Sequence, residues 1–86
     1  MPGYKQVKED GFIFLFRYDT VDPTILHIYA RHQTSIDDAL DLFFETEPKW
    51  NEKFKRFENY SDTHGLYWFW RDERKKIVVV ITCFRI

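Results

Sequence analysis

From Leu66 to its end the chain consists of two apolar runs separated by one polar stretch, and few structures other than a β-hairpin satisfy that pattern. Leu66-Tyr67-Trp68-Phe69-Trp70 forms the first run, Arg71 to Lys76 the polar turn, and Ile77 to Ile86 the second run. Runs rich in β-branched and aromatic side chains read as strands buried on both faces. Asp62-Thr63-His64-Gly65 supplies the preceding turn. A third run of the same kind, residues 12–18, lies near the other end between Gly11 and Asp19. Its Phe12, Phe14, Phe16 and Tyr18 share one face, and Ile13, Leu15 and Arg17 share the other. Apolar groups on both faces call for cover on both sides, or for a partner.

One helix is clear, over residues 35–46. Ser35 is a good N-cap, and Asp37 and Asp38 put negative charge in the first turn, where the helix dipole favours it. Ser35 and Asp38 have the spacing of a capping box. Ile36, Ala39, Leu40 and Phe43 form the apolar stripe, Leu42 and Phe44 widen it, and Pro48 marks the stop. Residues 22–32 stay open between two conformations. Asp22-Pro23 can start a helix on which Ile25, Ile28, Tyr29 and His32 share a face, but Ile25 to Ala30 also has strand composition. Over 49–60 Trp50, Phe54 and Phe57 at i, i+4, i+7 suggest a short helix, while Phe54 to Tyr60 alternates as a strand would, and the expectation is a helical turn to about residue 54, then a strand. The predicted fold class is α+β in a single domain, residues 1–86. It is an antiparallel meander of about three to five strands packed on one or two short helices.

A chain of 86 residues buries only roughly 60–65% of its unfolded surface, so its core has to be efficient. Nine Phe, five Tyr and three Trp supply that efficiency, because each ring buries about 150–250 Å². The net charge of −1 argues against a broad nucleic-acid-binding face and leaves room only for a local patch. The single cysteine, Cys83, reads as a small buried hydrophobe in a reducing compartment. His27, His32, His64 and Cys83 lack zinc-ligand spacing, so no metal is expected. There is no phosphate-binding glycine loop or nucleophile elbow, and no cofactor is expected. The first eleven residues hold no apolar signal-peptide core, and Ile77 to Ile81 is too short to span a bilayer. A cytoplasmic protein without membrane contact is the expectation.

Three groups of residues could carry chemistry. Arg31-His32, with His27 nearby, pairs a proton-transfer group with a phosphate clamp, although both residues also suit a helix C-terminus. Lys49, Lys53, Lys55 and Arg56 alternate with Trp50, Phe54 and Phe57. Basic and aromatic groups so mixed can hold single-stranded RNA, with Lys53 and Arg56 on phosphates. Glu45, Glu47, Glu52 and Glu58 dilute that field, and solvated lysines over core aromatics fit the pattern equally well. His64, Tyr60, Tyr67 and Arg85 gather around the start and end of the C-terminal hairpin.

Asp22-Pro23, the stretch Ala30-Arg31-His32-Gln33-Thr34-Ser35-Ile36-Asp37-Asp38-Ala39 and Phe43-Phe44 resemble the amino half of BrnT-type toxins. The order strand, helical region, antiparallel strands is similar to the RelE/BrnT-like ribonuclease fold. The family's later strands are usually basic, whereas here they carry only Arg71 and Arg85. The resemblance implies metal-independent RNA cleavage and a partner antitoxin. It makes His32 the acid or base, Arg31 and Arg85 the phosphate clamps, and Tyr67 a stacking or proton-donating group. The competing class is a non-enzymatic interaction or regulatory module. Its motive is the surplus of large apolar groups, which predicts a homodimer or protein complex packed through Phe14, Trp68 and Trp70 or through an unpaired sheet edge. A helix at 25–31 favours the toxin-like arrangement, and a strand there leaves the likeness accidental.

Overall fold

The tightest local signal in the chain is Asp10-Gly11, and it closes a hairpin. In the computed structural model, which describes residues 3–86, both residues take positive φ, 52° and 85°. That is the geometry of a type I′ turn, whose twist matches the flanking strands. The turn joins β1 (Tyr4–Glu9) to β2 (Phe12–Arg17). After β2 come α1 (His27–His32), α2 (Ile36–Glu45), β3 (Lys49–Asn51), β4 (Arg56–Tyr60), β5 (His64–Asp72) and β6 (Ile77–Arg85). They form one six-stranded sheet in the order β1-β2-β6-β5-β4-β3. Every neighbouring pair is antiparallel except β2 with β6, which run parallel: the helical segment crosses to the far edge of the sheet, and the chain then reverses direction at each of β3, β4 and β5 before β6 returns beside β2. The fold is thus α+β, with six strands rather than three to five, in a mixed rather than purely antiparallel sheet.

The open question over residues 22–32 resolves as helix, but a shorter one than Asp22-Pro23 suggested. Asp22 and Thr24 belong to a turn, and α1 begins only after Leu26. It ends at Gln33 in the left-handed conformation, with Gln33 N–H donating to Tyr29 O, the αL form of helix closure, and Thr34 N–H donating to Ile28 O. In α2 the capping box is complete: Asp38 N–H donates to Ser35 Oγ, and Ser35 N–H donates to the Asp38 carboxylate. The helical turn expected from residue 49 is instead a hairpin. Trp50 and Phe57, whose spacing suggested successive helical turns, are cross-strand partners with rings 4.9 Å apart. β1 has no counterpart among the expected elements, since five of its six residues are polar or aromatic and exposed.

Both helices pack on one face of the sheet. Phe14, Phe16, Leu66, Trp68, Val78, Val80 and Cys83 are buried there with Ile28, Ala39 and Leu42. Strict alternation would put Cys83 and Val80 on opposite faces. A register shift lets Trp68 pair with Val80 and Tyr67 with Thr82, so Ile81 is the extra residue of a bulge that returns Cys83 to the core side. Two buried polar residues tie the helices down. Asn59 donates to Leu42 O and Thr46 at the end of α2 and accepts from Trp68 Nε1. Thr34 Oγ1 donates to Cys83 O at 2.8 Å, satisfying β6 where β2 no longer covers it. Among the described residues no helix is long and apolar enough to cross a membrane.

Phe14 and Trp68, two residues of the expected partner surface, are therefore internal, 1% and 3% exposed. Trp70 is half-buried against Phe12 and Trp68. The surplus of rings is absorbed by the helical layer, because Phe43 packs edge-on against Phe12, Phe14 and Trp68 together.

Candidate functional site

Among the described residues no helix covers the other face of the sheet. Ile13, Leu15 and Arg17 point there from β2, Tyr67 and Phe69 from β5, Phe84 from β6, and Arg56, Glu58 and Tyr60 from β4. At one end of this face, where β2 stops and α1 fills the gap beside β6, polar and aromatic groups form a continuous row.

The row begins at Asp19, two residues past the end of β2. Asp19 is 4% exposed. Its carboxylate accepts from the N–H groups of Asp22 and Val21 at 3.0 Å and from Arg31 Nε at 3.0 Å. The Asp22 N–H is the largest of the influences that hold its pKa below the ordinary carboxylate value, with Val21 and Arg31 adding to it against the cost of burial. His27 Nδ1 lies 3.7 Å from the same carboxylate, and its Nε2 lies 3.5 Å from a guanidinium nitrogen of Arg17. A guanidinium can only donate, so Nε2 carries the lone pair and Nδ1 the proton. Burial, then the charge of Arg17, then His32, lower the His27 pKa, with Asp19 opposing. His27 is therefore a neutral imidazole at neutral pH, with its basic nitrogen turned to a cation.

Beyond His27 the row continues as rings in contact. His32 stands edge-on to His27 at 5.9 Å and to Phe84 at 6.1 Å, and Phe84 meets Tyr67 at 4.9 Å. Phe84 fits because its cross-strand neighbour is Gly65, where a Cβ would collide with the ring. The guanidinium of Arg56 covers Tyr67 at 3.7 Å and Phe54 at 4.6 Å. Arg56 Nε also donates to Glu58 at 2.8 Å, and Tyr60 OH donates to Glu58 at 2.9 Å. The Tyr60 and Tyr67 hydroxyls are 3.1 Å apart. The Tyr60 proton faces both the carboxylate and the Tyr67 oxygen, so Tyr60 is the donor toward each. Burial raises the Glu58 pKa, but hydrogen bonds from Arg56, Asn51 and Tyr60 outweigh it and leave it lowered. The Tyr67 hydrogen bond is the first of the causes that push the Tyr60 phenol upward.

Of the residues singled out from the sequence, His27, His32, Tyr60, Tyr67 and Arg56 lie in this row. Arg31 borders it, but its guanidinium is bound to Asp19 and braces the loop rather than standing free as a clamp. Arg85 is exposed opposite His64, and alternation sends it to the face away from Phe84. Lys53 sits on the exposed β3–β4 turn beside Phe54, at the margin. Arg17 and Asp19 were missed. Their one signal is position, a cation and a carboxylate at the end of a confident strand, and their link to His27 crosses ten and eight residues of turn. Among the described residues no group of His, Cys, Asp and Glu is placed to hold a metal ion.

No family model, curated protein or solved structure matches the chain.

Proposed function

We propose that the open end of the sheet binds single-stranded RNA and cleaves it without a metal ion, as a ribonuclease toxin of the BrnT/RelE-like type. The observation that carries this reading is the contact between Arg17 and Nε2 of His27, with His32 5.9 Å beyond it. A phosphate drawn to Arg17 brings the neighbouring 2′-hydroxyl to that lone pair. His27 takes the hydroxyl proton as the 2′-oxygen bonds to phosphorus. The bond from phosphorus to the 5′-oxygen breaks, and His32 gives that oxygen a proton. A 2′,3′-cyclic phosphate and a 5′-hydroxyl result. Arg17 compensates the charge that builds on phosphorus, and Phe84 and Tyr67 offer ring faces for the flanking bases. The helical conformation of 27–32, between a strand hairpin and a run of antiparallel strands, also supports the toxin-like arrangement. A protein antitoxin covering this face belongs to the same proposal.

The test is incubation of the purified chain with single-stranded RNA in EDTA. Cleavage leaving cyclic phosphate ends is expected, with His27→Ala lowering the rate by roughly 100-fold or more and circular dichroism unchanged. Intact RNA at high protein concentration rules the reading out.

A second reading, a protein-interaction module, is favoured by a different observation. Ile13, Leu15, Ile77 and Phe69 form an apolar strip on the uncovered face, and none of the four is fully buried. In this reading the strip, and not the polar row, is what a partner protein covers. Normal partner binding by a Phe69→Lys variant would remove it.

A further inference from the structure

We propose that two copies of this chain pair through β1, strand against strand, about a two-fold axis at Val7. β1 is the outer strand of the sheet, and among the described residues nothing pairs with its free side. An exposed edge is a template for another strand unless charge or shape prevents it. Here the charges favour one alignment.

The hydrogen-bonding pattern limits the choices. Gly3 O accepts from Tyr18 N, so the odd-numbered residues of β1 turn their backbone groups inward to β2. The free N–H and C=O groups therefore belong to Tyr4, Gln6 and Lys8. An antiparallel partner has to match these even residues with one another. Setting Gln6 opposite Gln6 of the second copy leaves Lys5 beside Val7. Setting Tyr4 opposite Gln6 brings Lys5 against Lys5. Setting Lys8 opposite Lys8 stacks like charge directly. Setting Tyr4 opposite Tyr4 overlaps only the start of the strand and leaves Lys5 beside Gly3. The remaining alignment sets Gln6 opposite Lys8, and it places Lys5 opposite Glu9 twice, once on each side of a Val7–Val7 contact. Those odd residues are then the non-hydrogen-bonded pairs, whose side chains approach most closely.

This pairing needs no rearrangement of the hairpin. Val7 is already half-buried against the core, and Lys5, Val7 and Glu9 share the helix-covered side with Phe16, Phe14 and Phe12. The axis stands perpendicular to the sheet, so both open faces look the same way. The dimer carries two copies of the polar row on one surface. The pairing itself does not depend on what that row does.

Sedimentation of the full chain over a range up to millimolar concentration tests the proposal, with a monomer–dimer equilibrium expected. Lys5→Glu and Glu9→Lys each replace two attractive pairs by repulsive ones and raise the dissociation constant by about tenfold or more. The double variant Lys5→Glu/Glu9→Lys restores the pairs and returns to near the starting affinity. Val7→Cys, a small change on an exposed strand, forms an intermolecular disulfide under mild oxidation, which reads the register directly. A monomer throughout, a dimer indifferent to Lys5→Glu, or a double variant no better than the single ones overturns it.

Discussion

The two faces of this sheet are built from the same strands and obey opposite rules. Under the helices, side chains are apolar and closely packed, and the polar groups admitted, Asn59 and Thr34, are buried and hydrogen-bonded. On the open face the charged groups are held in place by one another: Arg31 by Asp19, and Arg56 by Glu58 and the Tyr67 ring. In a small domain whose rings can fill one layer, the second face is free to hold groups whose ordering does not maximise stability. The contrast teaches that stability and proposed activity should separate by face, and substitutions can probe that separation.

The largest effect is expected in the covered layer. Phe14→Ala removes a ring that touches Phe12, Phe16 and Phe43. It should cost about 3–5 kcal/mol of stability by urea denaturation, enough to threaten folding. Asn59→Leu comes next. It strands Trp68 Nε1 and the last carbonyls of α2, and a loss of about 1–3 kcal/mol is expected. If either variant denatures like the parent chain, the helix-covered side is not what holds the fold.

Gly65→Ala tests the open face on its own terms. The added methyl meets the Phe84 ring and should push it from between His32 and Tyr67. RNA binding or cleavage should fall several-fold while the unfolding midpoint moves little. Equal losses in both would erase the contrast. Thr82→Val predicts the smallest change, and in the opposite direction. Thr82 Oγ1 is a buried side-chain atom without a hydrogen-bond partner, so replacing it by a methyl should stabilise the chain by about 0.5–1 kcal/mol in thermal melts.

Acid should distinguish the faces as well. The His27 pKa is lowered in the fold from its ordinary value of 6.5, so the unfolded chain binds the extra proton first. Stability is then fully present above pH 6.5 and declines as pH falls from there toward the folded-state value. Asp19, lowered from 3.8, adds a second loss as pH falls below that value. The loss that begins as pH falls below 6.5 should vanish in His27→Gln. At the alkaline end burial lifts the Cys83 thiol to about 11, and native chain should resist alkylation near neutral pH until it is unfolded.

What could be read from the sequence was what is local or repeats. Ser35 and Asp38 are three residues apart, so the cap of α2 is visible without a fold. The alternating rings of β2 and the branched run of β6 announce strands by composition. β1 was hidden because an edge strand needs no apolar alternation, and Lys5, Lys8 and Glu9 leave no apolar run there to read. Trp50 and Phe57 misled because their spacing along a hairpin coincides with two turns of helix. The surface assigned to Phe14 and Trp68 failed because the capacity of α2 to cover rings depends on where Phe43 points, which is a tertiary fact. The row was half legible. His32, Tyr67 and Arg56 stood out as residue types, but the Asp19–His27–Arg17 contacts arise only when α1 closes against the end of β2.

The central claim is that one face holds the fold and the other handles RNA. Amide NMR spectra of the chain titrated with a short single-stranded RNA test it most directly. Shifts confined to the neighbourhood of Arg17, His27, His32, Tyr67 and Phe84, with Ala39, Leu42 and Val78 unmoved, are what the account predicts. An unchanged spectrum at saturating RNA, or shifts centred on the exposed residues of α2 and the β5–β6 turn, contradicts it.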